Sequence, residues 1–156
     1  MSYHYTESGL DNVWLENGFK IENHPDYGEL ISIDNPRGLH EAIGRWLVAQ
    51  PRTLTGAEFR FLRTELGLSQ RSLGGILGTT EQAIAKWEKN RKKSVANKPA
   101  ERLLRLAFIN YLNGHPEFSA VIDRITQLNA DMAETELRLV TQNNAWEPAG
   151  AATGMA

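Results

Sequence analysis

The residues best equipped for chemistry lie between Gln70 and Lys93. Gln82, Ala85, Lys86 and Lys89 fall together on one side of a short helical stretch, and the basic run Arg91-Lys92-Lys93 follows it. A polar, donor-rich helix face with cations at its end suits a DNA groove bordered by phosphates. Other chemistries find less support. The four histidines, His4, His24, His40 and His115, are scattered, with no HExxH pattern and no pair four residues apart for zinc. Neither a Walker A loop nor GxGxxG is present. Ser69 has no nucleophile-elbow context, and Asp11 and Asp34 read as turn formers. No catalytic residue, metal or cofactor is expected, and the chain reads as a non-enzyme.

The elements that would position this face are two short helices joined by a tight turn, from Ser69 to Lys93. Ser69 is a good N-cap, because its side-chain oxygen can satisfy free N–H groups of the first turn. Leu73, Ile76 and Leu77 share one face at helical spacing. Gly78 follows, where a helix can end in the left-handed conformation that glycine adopts cheaply. Thr79 with Gln82 has capping-box spacing, and Ile84 and Trp87 give the second helix its buried stripe.

At these residues the sequence resembles the helix-turn-helix of the Cro/phage-repressor (XRE) family, whose pattern is roughly LSQxxLAxxLGVSxxxIxxWExG. Leu68-Ser69-Gln70, Leu73, Leu77-Gly78, Ile84, Trp87-Glu88 and Asn90 match at the right spacing. The usual Ala after Leu73 is Gly74, followed by Gly75, and the usual Val after Gly78 is Thr79. The resemblance implies that the second helix enters the major groove, with Glu81, Gln82, Ala85 and Lys86 facing the bases. Gln82 could then pair with adenine, Lys86 with guanine O6 and N7, and Glu81 with cytosine N4. It implies phosphate contacts for Gln70 and Arg71 at the preceding helix N-terminus, and for Arg91, Lys92 and Lys93. Thr80 could donate to a phosphate or cap the helix, with the cap preferred; Lys89 is open between a phosphate contact and a solvated face. Trp87 reads as core.

The charge distribution agrees with that placement. The whole chain of 156 residues carries a net charge of −2. From Arg52 to Arg105 there are 12 Lys/Arg against 5 Asp/Glu, whereas the segments before and after are acidic. A basic centre between acidic flanks fits a DNA-reading module with protein-facing extensions. Cysteine is absent, which excludes disulfides and thiolate metal sites. No run is long and apolar enough for a membrane span or secretory signal, so a cytoplasmic location and no membrane partner are expected.

The rest of the chain divides into four stretches. Residues 1–50 read as a small antiparallel β-sheet plus a helix, a dimer- or partner-binding extension. Asn17-Gly18 predicts a hairpin turn between Val13–Glu16 and Phe19–Glu22, with Trp14 opposite Ile21. Gly28–Asp34 is a third candidate strand and Tyr3–Tyr5 a fourth. Asn35-Pro36-Arg37-Gly38 reads as a turn, and Leu39–Gln50 as a helix with Leu39, Ile43, Trp46 and Leu47 inward. Residues 51–114 read as the helix-turn-helix domain, opened by the capping box Thr55–Glu58 and closed by an apolar helix after Pro99. Residues 115–144 predict a long helix, with Phe118, Val121, Ile125, Leu128, Met132, Thr135 and Leu139 as a stripe for a dimer seam or for a groove of the chain's own bundle. Residues 145–156 read as a disordered tail. The fold class is thus mainly α: a lambda-repressor-like bundle with a small N-terminal antiparallel sheet and a long C-terminal helix.

The leader Tyr3-His4-Tyr5-Thr6-Glu7-Ser8-Gly9-Leu10-Asp11-Asn12-Val13-Trp14-Leu15 is similar to one preceding XRE-type domains in regulators related to MqsA-type antitoxins. Their zinc module is cysteine-rich and cannot be carried over to a chain without cysteine. Two functions follow as expectations. One is a dimeric repressor on a palindromic operator in double-stranded DNA. The other is an antitoxin that binds a toxin protein and represses its own operon.

Overall fold

The computed structural model describes residues 1–114 and 136–150. The chain divides into two units, Met1–Thr126 and Gln127–Ala156. In the first, β1 (Tyr3–His4) pairs antiparallel with β2 (Trp14–Leu15). Separately, β3 (Phe19–His24) pairs antiparallel with β4 (Gly28–Ile33). The expected hairpin across Asn17-Gly18 does not form, and Trp14 faces His4 while Ile21 faces Ile31. A type I′ turn needs positive φ at both central residues, and only Gly18 has it, at 80°. Leu15 instead turns into the core with Tyr5 and Leu10. The expected single sheet is therefore two ladders of two strands each.

Helix α1 spans Pro36–Val48, three residues earlier than the sequence predicts. Pro36 occupies the first turn, where its missing N–H costs nothing, and the Asn35 side chain accepts from the Gly38 N–H at 3.2 Å. The supposed turn is thus the cap. Ile43, Gly44 and Leu47 are buried, whereas Trp46 stays 51% exposed. The reason is the close approach of α5 (Lys98–Leu112): a Cβ at Gly44 would lie 2.3 Å from a Phe108 ring carbon. Close packing, not side-chain hydrophobicity, chose the inward face.

Helices α2 (Gly56–Glu65), α3 (Gln70–Leu77) and α4 (Glu81–Lys89) complete the bundle. The capping box at Thr55 and Glu58 is present in both directions. The first N–H groups of α2 find partners beyond α4: Gly56 donates to the Lys93 carbonyl at 3.0 Å and Ala57 to Arg91 at 3.1 Å. Glycine is required there, since a Cβ on Gly56 would sit 2.0 Å from the Trp87 carbonyl oxygen. One buried cluster runs from Tyr5, Leu10 and Leu15 through Leu47, Leu54, Phe59, Leu62, Leu73 and Ile84 to Leu104 and Phe108. The leader therefore shares its core with the helices.

Polar contacts fix the remaining joints. The Tyr5 hydroxyl meets His40 Nε2 at 2.7 Å, and His40 Nδ1 meets Glu65 Oε1 at 2.5 Å, tying leader, α1 and α2. Arg105 bonds to Glu101 and to the carbonyls of Gln50 (2.6 Å) and Arg52, while Glu101 accepts from the Leu54 N–H. That buried carboxylate holds the linker between α1 and α2. Burial pushes the Glu58 carboxyl up, but hydrogen bonds from Arg52 and the Thr55 backbone, with the Arg52 charge, outweigh it and bring it below its ordinary value.

In the second unit, β5 (Leu139–Gln142) and β6 (Ala145–Pro148) form a hairpin. Its turn is Asn143-Asn144, both at positive φ, 53° and 62°. Asparagine is the residue other than glycine that tolerates this region best, so the pair supplies a two-residue turn. This corrects both the helix expected through 144 and the tail expected from 145: Leu139, the last residue of the supposed stripe, lies in a strand. Phe118, Val121, Ile125, Leu128, Met132 and Thr135, with the dimer seam assigned to them, lie outside the described residues, as do 151–156.

Two glycines separate backbone freedom from space. Gly75 has ordinary helical φ, and a Cβ added there would meet nothing within 4 Å. Gly75→Ala should therefore stabilise the protein by about 0.5–1 kcal/mol through helix propensity. Gly56→Ala should cost about 1–3 kcal/mol or more, because backbone must move; urea unfolding of both variants measures the contrast. A second measurement concerns pH. Glu58 has a folded pKa below the ordinary 4.5, so its stabilisation is present above that value and is lost as pH falls through the folded one. Glu58→Gln keeps the capping length but removes the charge. It should lower stability by about 1 kcal/mol at neutral pH, with the gap to wild type closing in unfolding curves recorded in acid.

Candidate nucleic-acid interface

Helix α3 begins at Ser69, whose Oγ accepts from the Ser72 N–H at 2.9 Å. It ends at Gly78, in the left-handed conformation at φ 71°. The turn to α4 is tight: the Thr79 N–H donates to the Gly74 carbonyl at 2.8 Å. A Cβ on Gly74 would lie 3.0 Å from the Thr79 carbonyl oxygen, so the small residue lets the two helices cross closely. This turn includes Thr79, and α4 is capped one residue later than the spacing suggests. Thr80 Oγ1 accepts from the Ala83 N–H at 3.0 Å. The expected Thr79–Gln82 capping box is replaced, and Thr80 takes the capping role preferred for it.

The faces of α4 are clearly divided. Ile84 and Glu88 are buried, and Ala83 and Trp87 are partly so. Phe59 meets Trp87 edge-on with ring centroids 5.7 Å apart, which packs the partly buried Trp against the core. Glu81, Gln82, Lys86 and Lys89 are exposed, and Ala85 lies half-buried among them. At about 100° per residue these five span roughly 140° of the helix circumference, one continuous outward face.

Glu88 fixes the angle of that face. Arg63 from α2 donates to it twice, Nε to Oε2 at 2.7 Å and Nη2 to Oε1 at 2.8 Å, while Arg63 Nη1 donates to the Leu68 carbonyl at 2.8 Å. Gln70 Nε2 also donates to Glu88 Oε1, at 3.1 Å. Gln70 is thereby turned to Glu88 within the protein. Gln70 and Glu88 stand at positions of the family pattern, but their meeting with Arg63 could not be read from spacing, since an Arg and a Glu on separate helices, 25 positions apart, show no periodic relation.

Internal pairing leaves the cations outside. Between Arg52 and Arg105, Glu58 pairs with Arg52, Glu65 with His40, Glu88 with Arg63 and Glu101 with Arg105. The remaining acid, Glu81, stands at the start of α4, where the helix dipole favours it. Arg71, Lys86, Lys89, Lys92 and Lys93 are exposed, with no ion pair among the described residues. Arg91 differs: its Nη2 donates to the Gly9 carbonyl at 2.8 Å and lies 3.5 Å from Asp11 Oδ1. The structure thus gathers Glu81, Gln82, Ala85, Lys86 and Lys89 on one surface, leaves Arg71, Lys92 and Lys93 solvated, and engages Gln70, Thr80 and Arg91 in contacts of its own.

Residues 59–107 match the protein-family model described as Helix-turn-helix. That stretch is an XRE/Cro-type helix-turn-helix. It runs from the first turns of α2 into α5 and covers about a third of the chain. No curated protein and no solved structure gives a significant match. The protein is accordingly a DNA-binding regulator of the helix-turn-helix type, and DNA is its partner. Among the described residues no helix is long and apolar enough to cross a membrane.

The helix-turn-helix depends on the Arg63–Glu88 junction for its geometry. Glu88→Ala leaves a guanidinium with 11% side-chain exposure without its partner. The expected loss is about 3–5 kcal/mol, measured by urea unfolding, and Gln70→Ala should cost much less because only one hydrogen bond goes.

Proposed function

We propose that the protein is a sequence-specific transcriptional repressor that acts as a two-fold dimer on a palindromic operator. The observation that carries this reading is the exposed face of α4, polar and cationic on a helix whose opposite side is locked into the bundle. In this reading Glu81, Gln82, Ala85 and Lys86 meet base edges. Gln82 is suited to adenine and Lys86 to guanine. Arg71, Lys89, Lys92 and Lys93 neutralise phosphates. Gln70 reaches a phosphate only by leaving Glu88, Thr80 serves the cap, and Arg91 contacts a phosphate once released from Gly9. One short helix buries little surface, so two copies on half-sites about one helical turn apart supply the affinity. A cytoplasmic location accompanies this role. The antitoxin reading keeps the same DNA face and adds a toxin protein bound by residues 1–50; it draws support from the leader resemblance.

Titrating the protein against its own upstream DNA over a salt series tests the proposal. Binding should fall steeply with salt, and Lys92→Ala with Lys93→Ala should flatten the log–log slope by about 0.9 for each phosphate contact removed. Gln82→Ala with Lys86→Ala should erase the preference over random DNA, worth about 1–3 kcal/mol per base-reading pair. Equal affinity of wild type and the Gln82/Lys86 variant for every sequence would remove α4 from the reading role.

A further inference from the structure

We infer that the free edge of β3 is a homodimer interface, on which two copies pair β3 against β3 and form a four-stranded antiparallel sheet about a two-fold axis at Ile21. The inference deepens the dimeric reading above by naming the surface that would hold the two copies together.

The hairpin β3–β4 is a two-stranded ladder with no third strand among the described residues, an arrangement of marginal stability in water. Lys20 through His24 are exposed along β3. The ladder register runs from Phe19 opposite Ile33 to His24 opposite Gly28. One pair beyond its base, the Asp34 N–H donates to the Gly18 carbonyl at 2.8 Å. Because bonded and non-bonded pairs alternate in an antiparallel ladder, the pairs at Lys20, Glu22 and His24 carry the hydrogen bonds to β4. The N–H and C=O groups of Phe19, Ile21 and Asn23 therefore point away from β4, toward the open edge. Exposed groups of this kind are a template for another strand.

The residues along that edge are self-complementary in one register. With Ile21 opposite its own copy, Phe19 faces Asn23 of the second copy. All three are residues with outward backbone groups, so each such pair exchanges two N–H···O bonds. Between them, Lys20 falls opposite Glu22 of the other copy in a non-bonded pair, where side chains approach most closely. The two-fold repeats this, giving two opposite-charge pairs on one face. On the other face, Ile21 meets its copy beside Ile31, its partner within each hairpin. The edge of β4 lacks this match: centred on Ile31, its register sets Glu29 against an Ile33 and pairs no charges. Charge and hydrogen-bond parity thus select β3 and a second copy of the chain.

Sedimentation of the full chain over a concentration series, without DNA, tests this. Wild type should dimerise. Lys20→Glu and Glu22→Lys alone should each weaken the dimer roughly tenfold or more, since each turns both attractive pairs repulsive. Mixing the two variants should restore a heterodimer, because every pair is then opposite in sign, a rescue that a general loss of folding could not produce. Ile21→Pro removes an outward N–H without touching the ladder to β4 and should give a folded monomer by circular dichroism. A wild-type dimer unchanged in all of these variants overturns the β3 interface and leaves the dimeric reading standing. A wild-type monomer at every concentration overturns both, while the DNA titration above judges the α4 face independently.

Discussion

The guanidinium of Arg63 and the carboxylate of Glu88 meet between α2 and α4 with almost no access to water. Removing two charges from water is expensive, and a pair like this contributes less net stability than its short distances suggest. Its importance is geometric. Two parallel hydrogen bonds fix the guanidinium plane, the third reaches the Leu68 carbonyl in the turn before α3, and Gln70 from α3 joins the same carboxylate. Helices α2 and α3 therefore both converge on one side chain of α4. With Glu88 held on the inside, Gln82, Lys86 and Lys89 have no option but to face outward.

The same pairing governs charge. In the bundle Glu58, Glu88 and Glu101 are matched to arginines within the protein and Glu65 bonds to His40, so Glu81 is the acid left beside the exposed lysines of α4. The leader qualifies this at one point. Its Gly9 carbonyl and Asp11 carboxylate hold Arg91, while Leu10 beside them is buried in the common core. A segment that reads as an extension is thus joined by packing and by hydrogen bonds to the loop that follows α4.

Much of the site was legible in the sequence because it rests on local rules. Ser69, Gly78 and the Thr55–Glu58 box act within one turn of chain, and the structure has each of them in place. The α4 face follows from helical periodicity. Sequence and structure part where two local signals compete or where distance matters. Thr79 and Thr80 both offered a cap, and the turn geometry chose Thr80. Asn17-Gly18 had the composition of a hairpin turn, but the burial of Leu15 sent its strand elsewhere. Trp46 looked inward by hydrophobicity, yet Gly44 gave α5 the closer approach. Asn143-Asn144 formed the turn that a heptad-like spacing concealed.

Sequence by itself determined the helix-turn-helix, the Ser69 and Gly78 caps of α3 and the outward residues of α4, because each depends on neighbours within a few positions. Only the tertiary structure decided which polar residues remain available to a ligand. Gln70, Arg91 and Arg105 are alike in the sequence in offering donors near the basic centre. The fold gives the first to Glu88, the second to Gly9 and the third to Glu101 and the linker carbonyls. Such pairings join residues up to 82 positions apart, and no periodicity encodes them; they exist only once hydrophobic packing has brought the helices and the leader to their final distances.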